Sequence, residues 1–213
     1  MTDWGVYLVT QESLSGDRTT RSVVEAAIDG GVDVVQLREK DRNVRERYHM
    51  GRKLRTLTRE AGVTFVVNDR VGLAEAVDAD GVHLGDDDLP VSVARDQLGP
   101  DALVGRSVSF VDDACRAEKA GADYLGVGAV YATGSKDDID DDEYEIGPER
   151  VSAIVDAVDI PVVGIGGVTA DNAAPVVEAG ADGVAVITAI TGADDPEAAT
   201  RDLAETVADA RGD

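Results

Sequence analysis

The chain has 213 residues, 43% of them hydrophobic, which fits one globular domain with a sizeable core. Its formal net charge of −23 excludes nucleic acid and anionic membranes as partners, because both require a basic protein surface. No apolar run reaches the length of about 20 residues that a membrane helix needs, and the N-terminus has no leader pattern, so we expect a cytoplasmic protein.

The excess of acidic residues also indicates the solvent in which the protein works. Asp and Glu number 43 against 20 for Lys and Arg. At 1 M salt the Debye length falls to about 3 Å, which screens the mutual repulsion of such a surface. The composition therefore indicates adaptation to high salt. It also means that any anionic ligand must approach through a repulsive field.

Eight short apolar segments recur along the chain, and stretches with helical spacing of apolar residues, such as "TRSVVEAAID", separate them. A glycine ends several of these stretches, as in "EKAGADYLGV" and "VEAGADGVAV", where a positive φ would stop the helix before the next strand. The predicted strands cover residues 4–10, 32–38, 63–68, 80–85, 102–108, 123–128, 161–166 and 182–187.

Continuously apolar strands that alternate with helices are typical of a parallel sheet buried on both faces. Eight such units in this length predict an α/β fold, a single-domain (β/α)8 TIM barrel over residues 1–213. A doubly wound open sheet is the alternative. The segment 131–147, "YATGSKDDIDDDEYEIG", is too polar and too long for a tight turn, so we interpret it as an acidic loop over the active site.

Polar side chains follow most of the predicted strands at their carboxyl ends, where barrels of this type carry their active sites. The second strand ends in Gln36, Arg38 and Lys40, spaced two apart, which places all three on one face of an extended chain. Two cations directed into a protein interior require an anion to compensate them. The other strand ends contribute Asn68 and Asp69, His83 to Asp88, Ser107, Thr133 to Lys136, Gly164 to Gly167, and Ile187 with Thr188.

Asp69 and Asp88 form a candidate Mg²⁺ site, because carboxylates together with phosphate oxygens and water suit this ion. The alternative for the acidic triplet "DDD" is a helix N-cap. Both roles can also hold within the triplet, with Asp86 or Asp87 capping the next helix while Asp88 binds the metal. For His83 we expect a hydrogen-bonded interior side chain rather than a metal ligand.

The last two strand ends are rich in glycine and small residues. "GIGGVTADNA" is predicted to open a helix after the seventh strand, so that its backbone N–H groups can surround an anion. Together with "VITAI" after the eighth strand, it matches the phosphate site that barrels form from these two loops. A cationic end, a metal site and a separate phosphate site support a transferase with diphosphate as the leaving group.

The motifs "QLREK", "NDR", "DGVHLG", "GRS", "GAVYATGSK", "VVGIGGVTADN" and "GADGVAVITAI" occur in this order over essentially the whole chain. In this combination the chain resembles the thiamine-phosphate synthase family. The resemblance implies a TIM barrel that joins 4-amino-5-hydroxymethyl-2-methylpyrimidine diphosphate to a thiazole phosphate and releases pyrophosphate. It also implies a dissociative mechanism, Mg²⁺ as the cofactor and small molecules as the partners, and it leaves open whether the protein is a homo-oligomer.

The same resemblance implies roles for individual residues. Asp69 and Asp88 would hold Mg²⁺, and Arg38, Lys40 and Lys136 would be catalytic. The pyrimidine diphosphate would contact Gln36, Arg38, Lys40, Asn68, Ser107 and Lys136. The thiazole phosphate would contact Thr133, Gly134, Ser135, Gly167, Ile187 and Thr188.

Three positions depart from the family pattern. Asp86 replaces a glutamine and Ser135 replaces a threonine, and both keep a polar side chain. Ser109 stands where the family usually has a histidine. The main alternative function, a thiazole tautomerase of the same barrel superfamily, requires that histidine as its acid and base, which serine cannot replace near neutral pH. A non-catalytic phosphate-binding barrel is the second alternative, and it predicts loss of the cations that this chain keeps.

Overall fold

All eight predicted strands form, each somewhat shorter than its apolar segment. The computed structural model describes residues 2–134 and 145–212. The strands are β1 Val6–Val9, β2 Val34–Leu37, β3 Thr64–Asn68, β4 Gly81–Leu84, β5 Leu103–Val108, β6 Tyr124–Val127, β7 Val162–Ile165 and β8 Gly183–Val186.

The strands pair in parallel in chain order, and the sheet closes where β1 pairs with both β2 and β8. Tyr7 of β1 lies opposite Val34 on one side and Ala185 on the other. A closed sheet has no edge strand, so the TIM barrel is confirmed and the open doubly wound sheet is excluded.

Helices follow the strands and surround the barrel. The glycines at four junctions between helix and strand have positive φ, as predicted: Gly31, Gly62, Gly121 and Gly180. The described helices are α1 Thr20–Asp29, α2 Val44–Ala61, α3 Val71–Val77, α4 Val91–Leu98, α5 Val111–Lys119, α6 Gly147–Val155, α7 Ala174–Glu178, α8 Thr188–Thr191 and α9 Pro196–Arg211. No helix in these residues is both long and apolar enough to cross a membrane.

The apolar core has two layers because successive side chains of a strand point to opposite faces of the sheet. The larger layer lies between the barrel and the helices, for example at Leu8, Phe65 and Leu125. The smaller layer fills the barrel and includes Tyr7 and Tyr124, both at most 2% exposed.

Four aspartates close the barrel at the amino ends of alternate strands. Each precedes an even-numbered strand, and its carboxylate accepts a hydrogen bond from a backbone N–H of the preceding odd-numbered strand. The aspartates are Asp33, Asp80, Asp123 and Asp182, and the donors are the N–H groups of Val6, Phe65, Val104 and Val162 at 2.7–2.8 Å. These bonds satisfy donors at the strand starts and leave the opposite end of the barrel to the cavity.

Candidate active site

A cavity of about 260 Å³ opens at the carboxyl ends of the strands, as expected for this fold. It brings together the polar residues predicted from strands two to five. Its lining includes Gln36, Arg38, Lys40, Asn68, Asp69, Asp88 and Ser107. Lys136, assigned to the same site, lies outside the described residues.

The residues of β2 explain much of the character of this cavity. Gln36 and Arg38 are 4% and 7% exposed, whereas Lys40 lies in the exposed turn that follows the strand. The guanidinium of Arg38 donates from Nη1 to Gln11 Oε1 at 2.9 Å, and no described carboxylate lies within ion-pair distance of it. Arg38 is therefore a buried cation beside an open cavity, an arrangement that favours an anionic ligand.

Asp69 and Asp88 form the acidic part of the cavity. Burial and the adjacent Asp88 carboxylate raise the pKa of Asp69 to about 6, while the charges of Lys40 and Arg38 act in the opposite direction. Asp69 has φ +63°, in the left-handed region that aspartate and asparagine tolerate better than most residues. Two adjacent carboxylates that repel each other favour a cation between them.

The acidic triplet does not cap the next helix, so that alternative for Asp86 and Asp87 is wrong. α4 begins after Pro90, without a side-chain cap. Asp88 instead folds back, and its Oδ2 accepts a hydrogen bond from Gly85 N at 2.7 Å. Asp86 pairs with Arg106, and Asp87 is exposed. The proline moves the helix start away from the triplet and leaves Asp88 at the cavity wall.

The floor of the cavity is a hydrogen-bond chain, fully buried at its two tyrosines and half-buried at His83 and Ser107, and only part of it was expected. His83 is hydrogen-bonded in the interior, as predicted, with Nδ1 3.0 Å from Tyr124 Oη and Nε2 2.9 Å from Ser107 Oγ. The sequence reasoning did not identify Tyr7 or Tyr124 as lining residues. The sequence signal that could have identified Tyr7 is the alternation of side chains along β1, which places it on the inward face of the strand. A phenol hydroxyl on that face requires a hydrogen-bond partner.

A second cavity of about 430 Å³ adjoins the first and shares four lining residues with it: Ala129, Ile165, Ala185 and Ile187. It collects the residues predicted for the second phosphate. These are Thr133, Gly134, Gly167, Ile187 and Thr188. Ser135, assigned to this group, lies outside the described residues.

The glycine-rich segment after β7 does not open a helix directly, which corrects the prediction. α7 begins only at Ala174 and has five residues, so a loop lies between it and the strand. Gly166 and Gly167 have φ +99° and +65°, and a Cβ at either would contact the backbone or side chains of residues 129–132. The glycines therefore let this loop pack closely against the start of the 131–147 segment.

Within the described part of the chain, no group of three or more His, Cys, Asp and Glu residues is arranged to hold a metal. The acidic pair would supply two ligands, and a bound ion would need oxygens from a ligand and from water, as Mg²⁺ commonly does.

The raised pKa of Asp69 predicts a pH-dependent stability without metal. The folded state binds the Asp69 proton more tightly than the unfolded chain, whose pKa is near 3.8, so ionised Asp69 destabilises the fold above pH 6. Asp69→Asn should therefore raise the melting temperature at pH 8 in EDTA and much less at pH 4.5. Thermal unfolding in molar KCl at both pH values measures this, and an equal gain at both would contradict it.

Comparison with known proteins places the chain in a family. The family model described as thiamine monophosphate synthase matches residues 6–190. The chain belongs to this family. A thiamine-phosphate synthase from Haloarcula marismortui is 71% identical over 99% of this chain and 100% of the relative. One from Moorella thermoacetica is 52% identical over the full length of both chains.

A solved structure gives the same result. Thiamine phosphate pyrophosphorylase from Pyrococcus furiosus superposes with a TM-score of 0.90 at 42% identity, over 99% of this chain and 98% of that chain. The family of this chain is thus confirmed by sequence and by fold. At this identity the chain is an enzyme with thiamine-phosphate synthase activity, a transferase of thiamine biosynthesis.

Thiamine-phosphate synthases from the halophilic archaea Haloarcula, Natronomonas and Haloquadratum are 64–71% identical to this chain. Because the net charge is −23, we expect this protein to need molar salt for folding and activity. Circular dichroism and activity across a KCl series test this. Native signal and full activity at about 0.1 M salt or less, where the Debye length is about 10 Å or more, would contradict the prediction.

Proposed function

We propose that the enzyme condenses 4-amino-5-hydroxymethyl-2-methylpyrimidine diphosphate with a thiazole phosphate, giving thiamine phosphate and pyrophosphate. The observation that carries this proposal is the buried guanidinium of Arg38, which lines the cavity without a described carboxylate partner. A diphosphate would supply the missing negative charge, and a guanidinium binds phosphate oxygens in a fixed geometry.

Asp69 and Asp88 fit a role as Mg²⁺ ligands because their repulsion, reflected in the pKa of Asp69 near 6, would be relieved by a cation. When bound, the ion would supply positive charge to the diphosphate oxygens. Lys40, two residues after Arg38, lines the same cavity. Lys136 would complete the set of cations.

The second cavity supports a separate site for the thiazole phosphate. Thr133 and Thr188 offer hydroxyl groups, and the loop at Gly166 and Gly167 offers backbone that no Cβ obstructs. The four lining residues common to both cavities would hold the two substrates next to each other. A thiazole nitrogen held at short range would attack with little loss of entropy.

This arrangement supports a dissociative reaction. The bond between the pyrimidine methylene and the diphosphate oxygen breaks first, and the aminopyrimidine ring delocalises the resulting positive charge. The fixed cations stabilise the leaving diphosphate, whose charge grows toward the transition state. The thiazole nitrogen then donates its electron pair to the methylene carbon, a step that requires no strong base.

The tautomerase alternative is weakened by the surroundings of Ser109. This side chain is 7% exposed, and its Oγ donates to Gly128 O at 2.7 Å. Its hydroxyl is thus committed to the backbone, and a serine is too weak an acid and base to move protons on the thiazole near neutral pH.

One assay tests the proposal against both alternatives. Purified protein in molar KCl is incubated with both substrates and Mg²⁺, and thiamine phosphate and pyrophosphate are quantified in the same samples. Equal amounts of the two products support the proposal. Thiazole isomerisation without coupling would favour the tautomerase, and binding without turnover would favour the non-catalytic barrel.

A further inference from the structure

The guanidinium of Arg38 is held by a side chain that does not line the cavity itself. Gln11 lies two residues after the end of β1 and is 7% exposed. Its Oε1 accepts from Arg38 Nη1 at 2.9 Å, and within residues 2–134 and 145–212 no other residue forms a hydrogen bond with this guanidinium. Gln11 is absent from the described lining of both cavities, so we expect its influence on the reaction to pass through Arg38.

The other end of the Gln11 amide is held as well. Nε2 donates to Asp41 Oδ2 at 2.8 Å and to Ser13 Oγ at 3.0 Å, and Ser13 Oγ donates to the same carboxylate oxygen at 2.8 Å. Both hydrogens of the amide are therefore used. A turned amide would direct Nε2 at the guanidinium donors and Oε1 at the Asp41 carboxylate, so only one orientation of the amide satisfies both neighbours.

The residue before Gln11 fixes the backbone of Arg38. Thr10 Oγ1 accepts from Arg38 N at 3.3 Å, and Thr10 N donates to Gln36 O at 2.9 Å. Two consecutive residues thus hold Arg38 at its backbone and at Nη1. Its Nε and Nη2 have no described partner and stay accessible at the cavity, so ligand oxygens can reach them.

From these contacts we propose that Gln11, oriented by Asp41, is a positioning residue for the reaction, because it fixes the Arg38 guanidinium toward the leaving diphosphate. The inference rests on the proposed function and deepens it. A neutral amide holds the guanidinium and leaves its positive charge to the ligand. The carboxylate of Asp41 lies one amide group further away, where its attraction for Arg38 is weaker.

The fixed orientation matters because a charged group assists a reaction most when it is already in place before the reaction begins. An arginine side chain has many rotamers, and Arg38 adjoins an open cavity that leaves room for several of them. Without Gln11 we expect the guanidinium to adopt orientations that do not face the diphosphate.

Gln11→Met removes the amide and keeps an unbranched side chain of similar length in the buried site. We expect kcat to fall about tenfold, and the Kd of inorganic pyrophosphate, measured by calorimetry with Mg²⁺ in molar KCl, to rise by a similar factor. The KM for thiazole phosphate should stay nearly unchanged, because Gln11 does not line the second cavity. A merely structural role would lower the melting temperature and weaken both substrates alike, and that result would overturn the inference.

The decisive measurement is the same substitution in a protein that lacks the Arg38 guanidinium. If Gln11 acts through Arg38, Gln11→Met should lower kcat no further in the Arg38→Met background, so that the two effects are non-additive. A second loss of about tenfold in that background would overturn the inference, because Gln11 would then act independently of Arg38. An unchanged kcat in the single variant would overturn it as well.

Asp41→Ala tests the outer end of the arrangement with little risk to the fold, since Asp41 is exposed. It releases one amide hydrogen of Gln11, while the contact with Ser13 remains. We expect a smaller loss of kcat than in Gln11→Met, and no loss when Gln11→Met is already present. Equal losses in both backgrounds would mean that the surface charge acts directly on the substrate, which would contradict the role of Asp41.

Gln97→Met is the matched control. Gln97 is exposed on α4, and its Nε2 donates to Glu75 Oε2 at 3.2 Å, in a glutamine–carboxylate pair to which no arginine of the described chain bonds. We expect kcat and the Kd of pyrophosphate to be unchanged, and losses like those of Gln11→Met would overturn the inference. A wild type that neither binds pyrophosphate nor forms thiamine phosphate would contradict the proposed function, whereas an active wild type with an equally active Gln11→Met contradicts the inference alone.

Discussion

Arg38→Met is expected to lower kcat by about 10²-fold or more, with a smaller rise in KM for the pyrimidine diphosphate. Methionine keeps an unbranched side chain of similar reach and removes only the charge and its donors. The effect falls mainly on kcat because the negative charge on the leaving diphosphate grows toward the transition state. Steady-state rates, measured with one substrate varied while the other is saturating, separate kcat from KM.

The same variant should be at least as stable as the wild type when no ligand is bound. Arg38 is 7% exposed and lacks a described ion-pair partner, so its charge is desolvated without full compensation. A melting temperature that is unchanged or raised, together with a large loss of kcat, would identify a residue kept for activity.

Arg45→Met is the matched control, since Arg45 is exposed on the first turn of α2 and does not line the cavity. It removes the same charge from the net total and should leave kcat nearly unchanged. A similar loss in both variants would mean that the general field of the protein, and not Arg38 at the cavity, assists the reaction. An effect of Arg38→Met on KM alone would make Arg38 a ground-state anchor.

Asp69→Asn and Asp88→Asn are each expected to raise the Mg²⁺ concentration needed for half-maximal rate by about tenfold or more. Asparagine keeps the shape and one oxygen, and it tolerates the left-handed backbone at position 69. What it removes is the charge that a hard divalent ion prefers. Initial rates titrated against Mg²⁺ in molar KCl give the shift.

The double variant separates one shared site from two independent effects. A site that has lost one carboxylate has less to lose from the second, so the two shifts should be strongly non-additive. Full additivity of the two shifts would argue against a common ion.

Asp87→Asn is the control from the same triplet. Asp87 is exposed, and no hydrogen bond or ion pair to a described residue is recorded for it. We expect the Mg²⁺ requirement to be nearly unchanged. A shift for Asp87 without one for Asp88 would move the metal ligand by one residue, and the absence of a shift for both Asp69 and Asp88 would remove the metal site.

The sequence alone determined the barrel because its signals are local and repeated. The apolar strands, the intervening helices and the glycines with positive φ, such as Gly62 and Gly121, each depend on a few neighbouring residues. Parallel strands carry their carboxyl ends to one side, so the common location of Gln36, Asn68 and Ser107 also followed from the order of the elements.

Only the tertiary structure decided how these residues meet, because contacts across the barrel join positions far apart in the chain. The sequence could not show that Asp88 folds back to Gly85 or that α7 begins as late as Ala174. A local pattern carries no information on which polar tips meet inside a closed sheet. The hydrogen bonds from Gln36 through Tyr7 and Tyr124 to His83 and Ser107 exist because closure of the barrel brings these side chains together, and the buried tyrosine hydroxyls need polar partners there.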